Sequence, residues 1–184
     1  LRRGTIALRG RSRRRGVALL GPVEHGHADR LGRLRSLSVV QNLLYTIENV
    51  ENIDTCRYVE KLVENLKHSL VGSHRPIRVE TEVSEVCLGI DEALSMGLII
   101  NEAFTNSVKY AFETTENPVI RITVERRGKM NRFLYRDNGA GIPEEVLKRK
   151  QERMGLHLIE KLARQLSATL TITGTEGTSI ELIF

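Results

Sequence analysis

The chain has 184 residues, 40% hydrophobic and 28% charged, without Trp, enough for one ordinary domain with a real core and a short appendage. No stretch nears the roughly 18 uninterrupted apolar residues of a membrane-spanning helix. Neither a span nor a signal peptide is expected, since the apolar run 17–20 stops at Gly21-Pro22 with no small-residue cleavage site after it.

A chain that opens on Leu1 is expected to be part of something longer. Its net charge of +5 conceals two opposite halves. Of its 28 Lys and Arg, ten fall in residues 1–36 beside only Glu24 and Asp29, which leaves 18 basic against 21 acidic groups in the remainder. The basic pI therefore belongs to an arm. Residues 1–30, with Gly and Arg but no periodicity, are expected to be a solvated, disordered arm. Nucleic-acid binding is not expected, because the rest is acidic and does not interleave basic with aromatic residues. Cys56 and Cys87 form no CxxC pair and read as half-buried thiols of a reducing cytoplasm.

From Leu31 the apolar positions Leu31, Leu34, Leu37, Val40, Leu44 and Ile47 fall three and four apart, the stripe of an amphipathic helix. Asp54 is placed to cap a second helix, with Tyr58, Val59, Leu62, Val63, Leu66 and Leu70 on its apolar side and Gly72 to end it. Pro76 opens an alternating run, Ile77, Val79, Thr81 and Val83, that reads as a strand. Asp91 begins a long helix running to Phe112. Strands follow at 120–124 and 132–136 around a turn at Gly128, then a short charged helix at 144–150 after Pro143. A helix at 157–166 comes next, and strands at 169–173 and 178–184 joined by GTEG close the chain. This order predicts an α/β fold in which a mixed, mostly antiparallel sheet carries its helices on one face, preceded by an N-terminal helical segment.

Four stretches carry chemistry. In NEAFTNSVKYAF, residues 101–112, Glu102 and Asn106 stack on one helix face with Lys109 a turn further on. A carboxylate, a neutral amide oxygen and an ammonium in a row suit magnesium and phosphate. Magnesium takes oxygen ligands and keeps several waters, so few protein oxygens are needed. The alternative is a solvated polar face with an ordinary ion pair. DNGAG, residues 137–141, ends a strand with a carboxylate able to accept from an exocyclic amine, and its glycines let backbone approach a flat ligand closely. Asn-Gly is equally a hairpin turn, although Pro143 argues against an immediate return strand. Met154-Gly155-Leu156 opens a helix whose first N–H groups favour an anion, or is a plain helix entry. Gly177-Thr178 enters the last strand.

Together, in this order, the four resemble the ATP-binding domain of sensor histidine kinases, within the superfamily of gyrase, the ninety-kilodalton heat-shock chaperone and the mismatch-repair ATPases. NEAFTNSVKYAF is similar to the N-box, DNGAG to the first glycine box, MGLHLIEKLARQL to the second and GTSIELIF to the closing strand. The resemblance implies a two-layer α/β sandwich of the Bergerat type over residues 73–184. Upstream, RLRSLSVVQNLLY and IDTCRYVEKLVENL resemble the end of a dimerisation region and a linker helix, placing a homodimer contact within residues 31–72. It implies ATP and Mg2+ as cofactors, Asn106 on the metal, Lys109 on phosphate, Asp137 reading adenine, and Gly139, Gly141 and Gly155 shaping the pocket. Tyr110, Leu156 and Thr178 join that nucleotide-binding set, and Glu102 takes the catalytic position.

The implied activity is a cytoplasmic histidine kinase that passes the ATP γ-phosphoryl to a histidine and thence to an aspartate of a response-regulator receiver domain. Two departures qualify it. Arg153 stands where the second glycine box usually has a small residue, beside a short basic lid at 148–153. No histidine sits in the family's acceptor motif: His25 and His27 lie in VEHGHAD, and His68, His74 and His157 read as surface groups. A nucleotide-binding regulatory module without phosphotransfer, and a serine kinase of the anti-sigma kind, are the alternatives.

Overall fold

The computed structural model describes Val40 and residues 53–70, 76–84, 86–149 and 153–184. The apolar stripe at 31–47 lies outside the described residues apart from Val40, which is helical and buried, and Gly72 lies outside them too.

A two-residue strand, β1 (Ile53–Asp54), leads into helix α1 (Thr55–Leu70). Asp54 caps it as expected, Oδ1 accepting from the Arg57 N–H at 3.1 Å. Strand β2 (Arg78–Val83) follows, then β3 (Cys87–Leu88), which pairs antiparallel with β1. The Thr55 hydroxyl donates to the Val86 carbonyl and closes that small ladder. Cys56 is half-buried and Cys87 exposed; both are free thiols.

Helix α2 (Ile90–Asn106) starts one residue before Asp91, where Glu92 accepts from the Gly89 N–H at 2.9 Å. Its last turn is not α-helical: Ser107–Ala111 form a π turn. The Ser107 hydroxyl reaches back to the Ala103 carbonyl at 3.1 Å, a bond that competes with regular helix pairing. The wider turn keeps Ser107 and Ala111 buried while Lys109 and Tyr110 face out. Strands β4 (Val119–Arg127) and β5 (Met130–Asp137) form a hairpin around Gly128, followed by α3 (Glu144–Lys148), α4 (Met154–Gln165), β6 (Thr169–Thr173) and β7 (Ser179–Ile183).

The main sheet has the order β2-β4-β5-β7-β6, with β2 parallel to β4 and every other pair antiparallel. Alternation assigns its faces. Ile120, Ile122, Val124, Phe133, Tyr135, Ile180 and Leu182 point inward and are buried against the apolar sides of α1, α2 and α4. The outer face carries charge. Arg121 bonds Glu80 at 2.9 and 2.6 Å, and Arg132 joins Glu125 at 2.9 Å to Glu181 at 2.6 Å. This is a two-layer α/β sandwich with helices on one face, as expected. Gly97 seats α2 on α1, because a Cβ there would overlap the Tyr58 hydroxyl, which donates to the Ala93 carbonyl at 3.0 Å.

Candidate functional site between two helices and a glycine-lined loop pair

Strand β5 delivers Asp137 to the end of its inward face, two residues after Tyr135, so the carboxylate arrives where the apolar layer stops. It is 5% exposed. A buried carboxylate needs donors, and the chain supplies three. Oδ1 accepts from the N–H groups of Gly139 and Thr178, each at 3.0 Å, and Oδ2 accepts from the Ser107 hydroxyl at 2.6 Å. Ser107 Oγ also lies 2.8 Å from the Tyr135 hydroxyl. Burial above all, and then the Asp137 charge, push the Tyr135 phenol well above its ordinary range despite the Ser107 bond. It therefore keeps its proton, and either hydroxyl of the pair can serve as the donor.

The DNGAG loop is not a hairpin turn. Asn138 ties the end of β5 to the start of β4, Oδ1 accepting from the Val119 N–H at 2.7 Å and Nδ2 donating to the Asn117 carbonyl at 2.9 Å. Its glycines serve backbone-on-backbone contact within the protein, a use beyond the approach to a flat ligand that the sequence suggested. Gly141, with φ +76°, is in the left-handed region, and a Cβ on it would overlap the Gly174 carbonyl oxygen. Gly177, at φ +78°, likewise lies against the Asp137 carbonyl. A Cβ on Gly139 would overlap Ala111, whose carbonyl accepts from the Ala140 N–H at 2.9 Å. The loop at 137–142, the turn at 174–178 and the π turn thus form one clasp around the carboxylate.

Beside the clasp is a cavity of about 420 Å³ lined by Asn106, Tyr110, Gly141, Ile142, Pro143, Val146, Arg153, Met154, Gly155 and Leu156, within the usual size of small-molecule sites. Five of the residues expected at the site line it: Asn106, Tyr110, Gly141, Gly155 and Leu156. Asp137, Gly139 and Thr178 form the layer behind, joined to it through Ser107, the neighbour of Asn106. Glu102 is buried one turn before Asn106, and Lys109 is exposed on the π turn; neither is among the lining residues.

Helix α4 begins at Met154, three residues before the position the apolar spacing indicated, so Gly155 lies inside its first turn rather than ahead of it. Its N-cap residue, Arg153, is extended and makes no side-chain cap bond, and among the described residues the first N–H donated along the helix is that of His157, to Arg153. The three preceding N–H groups have no acceptor within the helix itself. Arg153 lines the same cavity, so the departure from the glycine pattern puts a basic residue at a helix N-terminus. Among the described residues no three His, Cys, Asp or Glu converge on a metal position. A metal ion in this cavity would therefore need ligands brought in from outside the protein, and the Asn106 side chain is a lining group with a neutral oxygen to offer. Sequence reasoning missed Ser107, Tyr135 and Gly174. For Ser107 a signal existed: a hydroxyl in an apolar stripe, between Phe104 and Ala111.

Two family models match the chain: the Histidine kinase-, DNA gyrase B-, and HSP90-like ATPase over residues 91–184, and Histidine kinase over residues 24–70. The chain is 24% identical to Blue-light-activated histidine kinase 2 of Erythrobacter litoralis over 127 residues, 68% of this chain and 36% of that protein. It is 24% identical to Sensor histidine kinase PdtaS of Mycolicibacterium smegmatis over 132 residues, 71% of this chain and 26% of that protein. It therefore spans roughly a third or less of the length of the curated relatives it matches. The histidine kinase domain of the Erythrobacter litoralis EL346 blue-light activated kinase shares the fold, with a TM-score of 0.70, 21% identity, and coverage of 84% of this chain and 73% of that one. No helix among the described residues is long and apolar enough to cross a membrane.

Proposed function

We propose, since the chain belongs to the family of Histidine kinase-, DNA gyrase B-, and HSP90-like ATPases, that it is the ATP-binding catalytic module of a cytoplasmic two-component histidine kinase. The observation that carries this is the meeting, at one cavity, of Asn106, Arg153 and the first turn of a helix (Met154–Gly155–Leu156) whose N-cap residue makes no side-chain cap bond. Such a set matches a metal-chelated triphosphate: N–H groups and dipole for the phosphates, a cation for their charge and a neutral oxygen for magnesium. The Asp137 layer behind it matches the purine end.

In this reading residues 73–184 form the ATP-binding unit, residues 31–72 the linker and dimer contact, and residues 1–30 a basic arm. Asn106 completes the magnesium shell, Glu102 organises that shell or polarises the nucleophile from its buried position, and Lys109 and Arg153 offset phosphate charge. Tyr110 and Leu156 wall the nucleotide, Gly139, Gly141 and Gly155 shape the pocket, and Thr178 holds Asp137. The protein's share of the chemistry is positioning and charge neutralisation. The bond from the γ-phosphorus to its bridging oxygen breaks, a nitrogen–phosphorus bond forms on a histidine that releases its proton, and ADP leaves. A receiver-domain aspartate then takes the phosphoryl group.

Incubation of the chain with magnesium and γ-labelled ATP tests this. The expected product is acid-labile, base-stable label on protein, absent from Asn106→Ala. Bound ATP with no such label would replace the kinase reading with a regulatory nucleotide-binding module. Acid-stable label on an added protein would replace it with serine transfer.

A further inference from the structure

The Asp137 carboxylate offers about four acceptor positions. Two on Oδ1 are taken by the N–H groups of Gly139 and Thr178, and one on Oδ2 by the Ser107 hydroxyl. One remains. Ser107 has a single proton and three acceptors in reach, Asp137 Oδ2 at 2.6 Å, the Tyr135 oxygen at 2.8 Å and the Ala103 carbonyl at 3.1 Å. The direction is decided from behind. Tyr135 is fully buried with its hydroxyl 2.8 Å from the Ser107 oxygen, and the cost of leaving a buried hydroxyl without an acceptor favours its donating to Ser107. With that lone pair filled, the Ser107 proton goes to the nearer, charged oxygen, where hydrogen bonds are stronger.

We infer that Ser107 and Tyr135 are specificity-positioning residues. Their hydroxyls form a one-way relay that fixes Asp137 Oδ2 with a single open acceptor position, and this sets the site's preference for a 6-amino over a 6-oxo purine. The inference rests on the nucleotide reading of the cavity. Neither side chain lines that cavity, and both act through Asp137. Without the Ser107 proton, Oδ2 has two open positions and the carboxylate is held through Oδ1 alone. A ligand amine then loses a directed partner. A 6-oxo ligand, which has no proton to give there, loses nothing. Removing the Tyr135 hydroxyl acts more mildly, by freeing Ser107 to turn its proton to Ala103.

The test is calorimetric titration of the full chain with Mg-ATP and, separately, Mg-ITP, comparing wild type with Ser107→Ala, Tyr135→Phe and Ser107→Thr. The expected ATP-over-ITP preference falls about tenfold in Ser107→Ala and roughly threefold in Tyr135→Phe, the scale of one hydrogen bond to a charged group. It returns in Ser107→Thr, which restores the hydroxyl. A purely structural role would weaken both nucleotides alike, and an unchanged ratio in the variants of a discriminating wild type overturns this inference alone. Should Ser107→Ala not fold, the Tyr135→Phe ratio decides by the same criterion. A wild type that binds neither nucleotide, or both equally, overturns the reading of the pocket and this inference with it.

Discussion

Replacing Asp137 by Asn separates the ligand-binding work of the carboxylate from its structural work. The amide has one acceptor oxygen and two N–H donors. Oδ1 already takes two backbone N–H groups at 3.0 Å, so the amide oxygen belongs there and the NH2 falls at the place of Oδ2. Ser107 then reverses, accepting from the new amide and from Tyr135 and donating to the Ala103 carbonyl at 3.1 Å. Every buried group keeps a partner, and the fold loses about 1 kcal/mol, the difference between a charge-assisted and a neutral bond. The ligand fares worse. The remaining amide hydrogen faces the purine amine, donor against donor, and a bond to a charged group worth about 1.5–3 kcal/mol is lost. Calorimetry should show Mg-ATP binding weakened roughly ten- to a hundredfold in a variant that melts within a few degrees of wild type. An unchanged Kd in the folded variant would remove Asp137 from the site.

Three further outcomes are expected. Gly141→Ala should destabilise by more than about 2 kcal/mol in denaturant titration, from positive φ plus overlap with Gly174. Gly128→Ala, equally left-handed at φ +63° but with nothing within 4 Å, should lose only about 1 kcal/mol, and equal losses would refute the clasp. Arg153→Ala should weaken Mg-ATP binding about three- to tenfold and flatten its salt dependence; an unaltered salt slope would place Arg153 outside the phosphate field. On the outer face, the bonded Arg121 guanidinium holds the Glu80 carboxyl low, and the bonded Arg132 guanidinium does the same for Glu125. Depressed carboxyls lend stability above their ordinary value, about pH 4.3, and lose it as pH falls through the lower folded-state values. Arg132→Met should therefore make melting less acid-sensitive below about pH 4.3, and an identical acid limb would show that the ladder contributes nothing.

Much of the fold was legible because periodicity reports burial directly. The alternation Ile120, Ile122, Val124 is the inner face of β4, and the stripe from Tyr58 to Leu66 is the buried side of α1. Asp54 capped α1 because the short side chain and its N–H partner are three residues apart, a local relation. Boundaries failed where a local rule met a tertiary contact. Gly155 weakens helix propensity, so α4 seemed to begin after it; yet Gly155 is buried in the first turn, where packing outweighs about 1 kcal/mol of propensity. Asp137 stood out at a strand end, but its donors come from residues 107, 139 and 178. Pairing across such distances follows from sheet order and the π turn, which no spacing in the chain reveals. Gly174 and Gly177 read as an ordinary turn for the same reason: what they touch is another loop.

The most direct measurement is a crystal structure of the chain with magnesium and a non-hydrolysable ATP analogue. The purine amine is expected on Asp137, the phosphates at the first turn of α4 beside Arg153, and the metal on the Asn106 amide oxygen. An analogue bound away from this cavity, or seated in it with its base far from Asp137, would contradict the assignment.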